Sequence, residues 1–419
     1  MKIIYVQQYF NTPDMVGGNR PYEMATRFTE AGHDVHVVTT RRDPDPGDRT
    51  VEVRRVNGFT VHLIPAAYRQ TMPSWQRIRA FLTYAMRASV LARRLRGDVV
   101  FASSTPLTTA IPGMYATAFR RSPLVFEVRD LWPAIPIALG YLHNPLLRSA
   151  AVLLERLAYR RAKTIVALSP DMASEIIAQG VPPEKLVVAP NAADVGRFDV
   201  PAEAGLRFRE ERDWLADRPL LVYCGTLGKV NGLTYLVEIA SELRELGSDA
   251  VVAIYGQGSE RPATEALAET LGVHGTSVRF FDPVPKQDLP AILSAATLCT
   301  SFWIPIPVLA SNSANKLFDS MAAGRPIAIN HGGWQAEIIA RARTGLVLPE
   351  SDAPAAAREI HAWLSLPVAE RQQYGERAKR IGVEEYSRDI SAARVLDTLE
   401  AAVGPTFTRP EIDVAGRDT

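Results

Sequence analysis

SNSANKLFDSMAAGRPIAINHGGWQAE, residues 311–337, reads as a helix opened by small polar residues, a tight stop, a buried strand and a second helix. From a start near Ser313, the first-turn N–H groups of Ala314, Asn315 and Lys316 have no acceptor inside the helix. With the helix dipole they make a seat for an anion, and Lys316 adds a full positive charge to it. Asn315, Lys316 and Asp319 share one helical face. Asp319 lies one turn deeper, where a carboxylate can accept two hydrogen bonds from adjacent hydroxyls such as a ribose diol. AAG stops the helix, PIAIN is the apolar run of a buried strand, and Gly332-Gly333 let backbone approach closely before the next helix. The stretch is suited to a nucleotide diphosphate. A plainer reading makes Lys316 and Asp319 an exposed i,i+3 ion pair, worth about 0.2–0.5 kcal/mol.

Outward from this stretch, strand-like and helical patterns alternate along the chain. The first cycle runs KIIYV, a helix near 20–31, DVHVVTT, VHLIPA, a helix near 74–96, DVVFAS, PLVFEVRD, a long helix near 145–162, and TIVALS. After a polar, Arg/Glu-rich connector at 200–218, a second cycle runs PLLVYCGT, a helix near 232–246, AVVAIYG, a helix near 260–271, VRFFDPV, a helix near 287–295, and LCTSF. That rhythm predicts an α/β protein of two facing doubly wound, Rossmann-like parallel-sheet domains, with helices on both faces of each sheet. The linker is expected near PNAADVGRFD, which places the domains at 1–197 and 198–385. The stretch 353–403 is helical by pattern, and residues 404–419 read as a loose tail.

The length of 419 residues also suits two domains. No apolar run is long enough to span a bilayer and no signal peptide is visible, so a cytoplasmic location is expected. Cys224 and Cys299 lack metal-ligand spacing and read as buried structural thiols. The net charge of +1 hides an asymmetry: residues 1–180 carry 23 Lys+Arg against 14 Asp+Glu, and the remainder carries 24 against 32. The basic half is the one expected to meet something anionic. Nucleic acid is not expected, because its positive charge lies along helices without stacking aromatics.

Several loops sit where strands end. Gly17-Gly18-Asn19-Arg20 follows the first strand and opens a helix, where backbone can approach a diphosphate or sugar closely, although a lone Gly-Gly is more often a simple turn. EVRDLWP (127–133) follows another strand end, and Arg129, Asp130 and Trp132 are costly there for packing alone. YCGTLGKVNGL (223–233) heads the second cycle with Gly225, Gly228 and Gly232 clearing space for phosphate, Thr226 at the loop apex, and Lys229 as the local cation. YGQGSE (255–260) ends a strand with Gly256 and Gly258. The histidines show no metal-ligand spacing. His331 precedes the Gly-Gly loop, where it is expected to touch phosphate. No D-x-D cluster stands in a strand-end loop, so the chemistry is expected to need neither metal nor cofactor.

The order small-polar residue, seven residues, acid, then MAAGRPI and GG…E resembles the donor site of family-4 retaining glycosyltransferases with the GT-B architecture. Their motif is Glu, seven residues, Glu. Here the first position is Ser311 and the second is Asp319, so the pattern is half kept. The NKLF(D/E)-MAAG-(K/R)P version is similar to a branch that adds sugars, often N-acetylated deoxy-sugars, in assembling bacterial surface polysaccharides. SPDM (169–172) and PNAADVGRF (190–198) extend the likeness along the chain.

The resemblance implies a nucleotide sugar, UDP-linked, as co-substrate in the second domain and a glycan or lipid-linked acceptor in the first. It implies transfer with retention, and a last helix, 386–403, crossing back onto the first domain. It gives Lys316 and Asp130 catalytic roles, Asp130 orienting or deprotonating the acceptor hydroxyl, with Arg129 and Trp132 shaping the acceptor or sugar site. The donor would meet Gly17, Gly18, Arg20, Gly225, Thr226, Gly228, Lys229, Gly256, Ser311, Asn315 and Asp319. In DPVPKQDLP (282–290), Val284 and Pro285 would flank a uracil read by main-chain groups. The basic pair that many relatives carry in the glycine loop at the head of the second domain is replaced here by Thr226 and Asn231, which leaves Lys316 more of the phosphate charge to neutralise.

The helix near 74–96 mixes Trp75, Ile78, Phe81, Leu82 and Met86 with six arginines, a composition suited to an anionic bilayer surface, so peripheral membrane association is expected. Two rival readings remain: a sugar-nucleotide epimerase of the same fold, and a protein that binds a nucleotide sugar without transferring it.

Overall fold

The computed structural model describes residues 1–404 except 42, 46, 68–71 and 73; the expected tail beyond residue 404 lies outside the described residues. The chain divides into two compact units. The first holds Met1–Thr12, Asn19–Pro190 and the chain from Ser391, and the second holds Pro13–Gly18 and Asn191–Ile390. The boundary falls at Pro190/Asn191, ahead of the expected 197/198, and the Gly17-Gly18 loop groups with the second unit.

The first unit is built from β1 (Lys2–Gln7), α1 (Arg20–Glu30), β2 (Asp34–Arg41), β3 (Glu52–Val56), β4 (Phe59–Pro65), α2 (Ser74–Leu95), β5 (Val99–Ser103), α3 (Ala110–Thr117), β6 (Leu124–Val128), α4 (Ala134–Ala138), α5 (Pro145–Arg161), β7 (Thr164–Ala167), α6 (Pro170–Ala178) and β8 (Leu186–Val188). Its strands lie in the order β3-β4-β2-β1-β5-β6-β7-β8. Strands such as β5 and β6 are buried along their whole length, as expected where helices cover both faces of a parallel sheet. The sheet is not wholly parallel, however: β3 pairs antiparallel with β4 at the edge. Asn57 and Gly58 both take positive φ (42° and 83°) and close a two-residue hairpin between them. The exposed Arg54 and Arg55 protect that edge from further pairing. Helix starts are chemically specified. Ser169 accepts from the Met172 amide ahead of Pro170, and Asn144 accepts from the Leu146 and Leu147 amides ahead of Pro145.

The second unit runs α7 (Val195–Phe198), α8 (Ala202–Glu210), β9 (Leu220–Cys224), α9 (Leu233–Glu245), β10 (Val251–Tyr255), α10 (Arg261–Thr270), β11 (Val278–Phe281), α11 (Leu289–Ala295), β12 (Leu298–Ser301), α12 (Asn315–Ala322), β13 (Ile327–Ile329), α13 (Trp334–Ala342), β14 (Gly345–Val347), α14 (Ala353–Leu364) and α15 (Val368–Glu384). Its six parallel strands lie in the order β11-β10-β9-β12-β13-β14. The expected connector at 200–218 is instead partly helical: α8 packs on α11, and a Cβ on Gly205 would lie 2.5 Å from the Ser294 carbonyl oxygen. The last helix, α16 (Arg388–Val403), sets Ala392, Val395 and Leu399 into the apolar core of the first unit beside Met24 and Phe28 of α1.

Each sheet reverses its winding once. In the first the reversal lies between β1 and β5, whose ends Gln7 and Ser103 are paired in register. In the second it lies between β9 and β12. The crevice outside the carboxyl ends of the strands at such a point is where doubly wound sheets hold ligands.

Candidate functional site

In the second unit, a 3₁₀ turn over Pro307–Ser311 buries Ser311 and leads to α12. The helix begins at Asn315, later than the expected start near Ser313. The reason is that Ser313 is engaged elsewhere: its hydroxyl accepts from the Asn191 amide (3.0 Å) and its carbonyl from the Asn191 side chain (2.6 Å). The Leu317 amide turns back to Ala314, so the first-turn donors left for an anion are those of Asn315 and Lys316.

The Lys316 ammonium lies 4.9 Å from the centre of the Tyr223 ring and 5.9 Å from that of Trp303, residues flanking the ends of β9 and β12. Lys316 therefore stands at the winding reversal of its sheet. Desolvation pulls its pKa down to about 8, against the opposing pull of Cys224 and Asp319. Gly225 makes room for it: a Cβ there would sit 2.7 Å from Lys316 Cε and 3.0 Å from Nζ.

The glycine loop after β9 is braced from below. Tyr223 Oη and Asn231 Nδ2 both donate to the Thr226 carbonyl (2.8 and 2.9 Å), and the Leu227 amide donates to the Gln257 carbonyl. Thr226 and Lys229 are exposed and Gly228 is half-buried. Gly256 faces this loop rather than open space, because a Cβ on it would lie 1.9 Å from the Gly225 carbonyl oxygen. Its expected direct part in holding a donor becomes a part in packing two loops together. Gly17, with φ 117°, and Gly18 are grouped with this unit, and a Cβ on Gly18 would approach the Asn315 side-chain amide to 3.9 Å.

Asp319 is buried and accepts from the ammonium of Lys286, also buried. Burial pulls the Lys286 pKa down while Asp319 opposes it, and the Phe198 ring lies 5.4 Å from the ammonium. Only one Asp319 oxygen is used by Lys286; Oδ1 is buried without a partner. Lys286 lies in the DPVPKQDLP loop, beside the half-buried Val284 and Pro285, and sequence reasoning missed it. A lysine two residues past an expected base-reading position carries no signal of its own.

Other buried polar atoms of this unit also lack protein partners: Trp303 Nε1, on the ring beside Lys316, His331 Nε2, and Asn312 Oδ1 in the segment before α12. Asn330 clamps the Trp303 backbone at both N and O (2.8 and 2.9 Å), and the Trp303 and His331 rings lie 6.0 Å apart. His331 Nδ1 lies 2.9 Å from the Gly332 carbonyl, which can only accept, so Nδ1 carries the proton. Desolvation lowers the His331 pKa and favours the neutral ring. Nε2 is then a bare acceptor. That suits a hydroxyl rather than the phosphate expected of this residue.

In the first unit, Arg20 departs from its expected role. It is 1% exposed, donates through Nε and Nη2 to Glu127 (3.0 and 2.8 Å), and reaches the Ala189 and Pro190 carbonyls. Its charge is spent inside the core, not on a phosphate. At the end of β6, Asp130 accepts from the Thr105 hydroxyl at 2.8 Å and the Arg129 amide donates to the Ser104 hydroxyl at 3.0 Å. Arg129 Nε is buried without a partner, and Trp132 is half-buried. Gln7 and Gln8, at the end of β1, are fully buried and both ends of each side-chain amide lack partners. Sequence reasoning passed over these glutamines as the tail of a strand. Among the described residues no group of three or more His, Cys, Asp or Glu side chains gathers to hold a metal ion.

Comparison with known proteins agrees with the two doubly wound units. Residues 17–192 match the family "Glycosyl transferase 4-like domain" and residues 207–381 match "Glycosyl transferases group 1". The chain belongs to the GT-B glycosyltransferases. It is similar to alpha-D-kanosaminyltransferase of Streptomyces kanamyceticus, 27% identical over 57% of this chain; the match spans 60% of that enzyme's length. In fold it is similar to sucrose-phosphate synthase from Thermosynechococcus elongatus (TM-score 0.76, 16% identity, 95% of this chain and 98% of that one). It is also similar to Anabaena HepE solved in complex with UDP-glucose (TM-score 0.72, 15% identity, 96% and 100%). These relatives span diverse sugar transferases, so the GT-B glycosyltransferase group is what they share with this chain, not one surface-polysaccharide branch.

Proposed function

We propose that this chain is a retaining glycosyltransferase that moves a sugar from a UDP-linked nucleotide sugar to a hydroxyl of a glycan or lipid-linked acceptor, without a metal ion. The observation that carries the reading is a half-buried lysine at the winding reversal of the second sheet, beside two free helix amides and several buried polar atoms with no protein partner. Unpartnered buried polar atoms cost about 1–3 kcal/mol each. Trp303 Nε1 and His331 Nε2 are two such atoms on rings 6.0 Å apart, with the Trp303 ring 5.9 Å from the Lys316 ammonium, and that pairing fits a polar ligand.

Breaking the anomeric C–O bond builds negative charge on the departing diphosphate. Lys316 and the Asn315 and Lys316 amides stabilise that charge as it forms. Asp319 Oδ1 accepts from a ribose hydroxyl, Val284 and Pro285 flank the base, and His331 Nε2 accepts from a hydroxyl of the donor sugar. Asp130, held by Thr105, orients and deprotonates the acceptor hydroxyl. Arg129, Trp132, Gln7 and Gln8 contact the acceptor. Asp319 is tied to Lys286, which makes it a poor nucleophile for a two-step route, so retention proceeds by front-face displacement. The first unit works from the cytoplasmic side, peripheral to the membrane through α2; no helix among the described residues is long and apolar enough to cross a membrane.

A thermal-shift screen of nucleotides and nucleotide sugars tests the core of this reading. UDP or a UDP-sugar at about a hundred times its dissociation constant stabilises the protein by about 2.7 kcal/mol, and the matching UDP-sugar is slowly hydrolysed without acceptor. If no nucleotide stabilises the chain, the reading fails.

A further inference from the structure

In the first unit, α3 packs against both α2 and α5, so the three helices lie side by side. Their outer surface is unusual in two ways. Along α2, Trp75, Ile78, Leu82, Met86 and Val90 follow one helical stripe and are all exposed, Trp75 at 62% and Met86 at 64%. Along α5, Leu146, Leu153 and Leu157 repeat the pattern, with Leu146 79% exposed, and Phe119 just after α3 is fully exposed. Apolar side chains gathered in this way mark a contact surface.

The charge around them has one sign. Residues 74–97 hold six arginines and no acid, residues 107–123 two arginines and no acid, and residues 145–163 four arginines and a lysine against a single glutamate. That glutamate, Glu155, is buried and takes its hydrogen bond from Tyr159, so it shows no charge to the outside. None of the thirteen cations forms an ion pair among the described residues. A second copy of the chain on this face would set cations against cations. Nucleic acid would want stacking rings where most of the exposed groups are aliphatic. An anionic lipid leaflet suits both properties: acyl chains receive the leucines, methionine and aromatics, and headgroups receive arginines whose stems lie along the apolar stripe.

We propose that α2, α3 and α5 together form a lipid-docking face that seats the first unit on an anionic bilayer, with the leucine ridge of α5 as a second point of insertion beside α2. This deepens the membrane reading made above for α2 and rests on it. The test is flotation of the full chain with phosphatidylcholine vesicles, with and without phosphatidylglycerol, at low and high salt. Binding to the phosphatidylglycerol vesicles alone, weakened by salt, is expected. The pair Leu153→Glu and Leu157→Glu reduces binding at least as far as Trp75→Glu with Met86→Glu does. Arg79→Gln and Arg156→Gln, surface changes with little risk to folding, each weaken it by about fivefold. Nucleotide-induced stabilisation, unchanged in every variant, reports a folded second unit.

Absence of binding to anionic vesicles overturns the proposal, as does wild-type binding by the α5 and Arg156 variants. A dimer dissolved by the α5 substitutions in a chain that ignores vesicles also overturns it. If vesicle binding holds while no nucleotide stabilises the chain, the transferase reading fails and the docking face stands.

Discussion

Arg20–Glu127 in the first unit and Lys286–Asp319 in the second are both buried ion pairs, and they are completed differently. Around Arg20 and Glu127 the pairing is closed: the guanidinium also reaches the Ala189 and Pro190 carbonyls, and the second Glu127 oxygen takes the Ser103 hydroxyl. Around Lys286 and Asp319 it is left open, with Asp319 Oδ1 buried and unclaimed. Burying a charge costs several kcal/mol, which a full set of partners offsets and a partial set does not. A closed pair is therefore architecture, and an open one marks a place where something else completes the set. Both arginine and aspartate stood in motifs that pointed to the nucleotide, and only the count of satisfied atoms separates them.

The sharpest way to break this contrast is to open the closed pair. Glu127→Ala leaves the Arg20 guanidinium unpaired in the core, and a loss of about 3–5 kcal/mol is expected in urea unfolding. Replacing both partners, Arg20→Met with Glu127→Leu, recovers most of the loss. Nucleotide affinity of the folded double variant is expected to stay at the wild-type level, because the Arg20 guanidinium is buried and its bonds go to Glu127 and the Ala189 and Pro190 carbonyls. A large loss of affinity there would return Arg20 to the phosphate site.

Lys316 comes next in size. If Lys316 meets the leaving diphosphate as proposed, Lys316→Ala lowers transfer by about 10²–10³-fold with a smaller change in nucleotide affinity. The pH dependence has a definite sign. Lys316 has a folded pKa of about 8, below the 10.5 of a free lysine side chain, so the folded protein sheds this proton first. Its burden on stability is present below about 8 and is relieved as the pH rises from there toward 10.5. Donor use runs the other way, falling as the ammonium is lost above about 8. Lys316→Arg moves that limb upward in a plot of kcat/KM against pH, and an unmoved limb assigns the titration to another group.

How much of this was readable beforehand follows the same division between pattern and partner. The two doubly wound units, most helix positions and the place of Lys316 in the first turn of α12 are legible, since periodicity and strand-end position leave their mark on neighbouring residues. The β3–β4 hairpin was legible and overlooked: VNGF carries the Asn-Gly turn signal between EVRRV and FTVHLIP. Other features were not. Asn191 holds Ser313 across a gap of over a hundred residues, and Lys286 meets Asp319 from a different loop. Such pairings are properties of the folded chain, and no local spacing announces them. The buried amides of Gln7 and Gln8 belong here too, for a strand-end glutamine looks the same whether it is satisfied or not.

Asp319→Asn tests the open pair itself. The change keeps the shape, removes the charge that Lys286 pairs with, and weakens the acceptor offered to a ribose hydroxyl. Hydrogen bonds to charged groups contribute about 1.5–3 kcal/mol, so UDP affinity measured by calorimetry should fall by roughly ten- to a hundredfold. An affinity equal to wild type would mean that Oδ1 meets no ligand, and the open pair would be a flaw in packing rather than a site.

The smallest expected effect probes the same logic at single-atom scale. His331 is tied at Nδ1 by the Gly332 carbonyl and open at Nε2. His331→Phe removes the open acceptor while keeping a ring against Trp303, and the loss is that of one neutral hydrogen bond, about 0.5–1.5 kcal/mol. If Nε2 meets a sugar hydroxyl, the donor KM rises by two- to tenfold on that scale while UDP, which lacks the sugar, binds as before. If it meets phosphate, UDP and the UDP-sugar weaken together. Comparing the two ligands therefore assigns the atom as well as the residue, which affinity for the complete donor alone does not do.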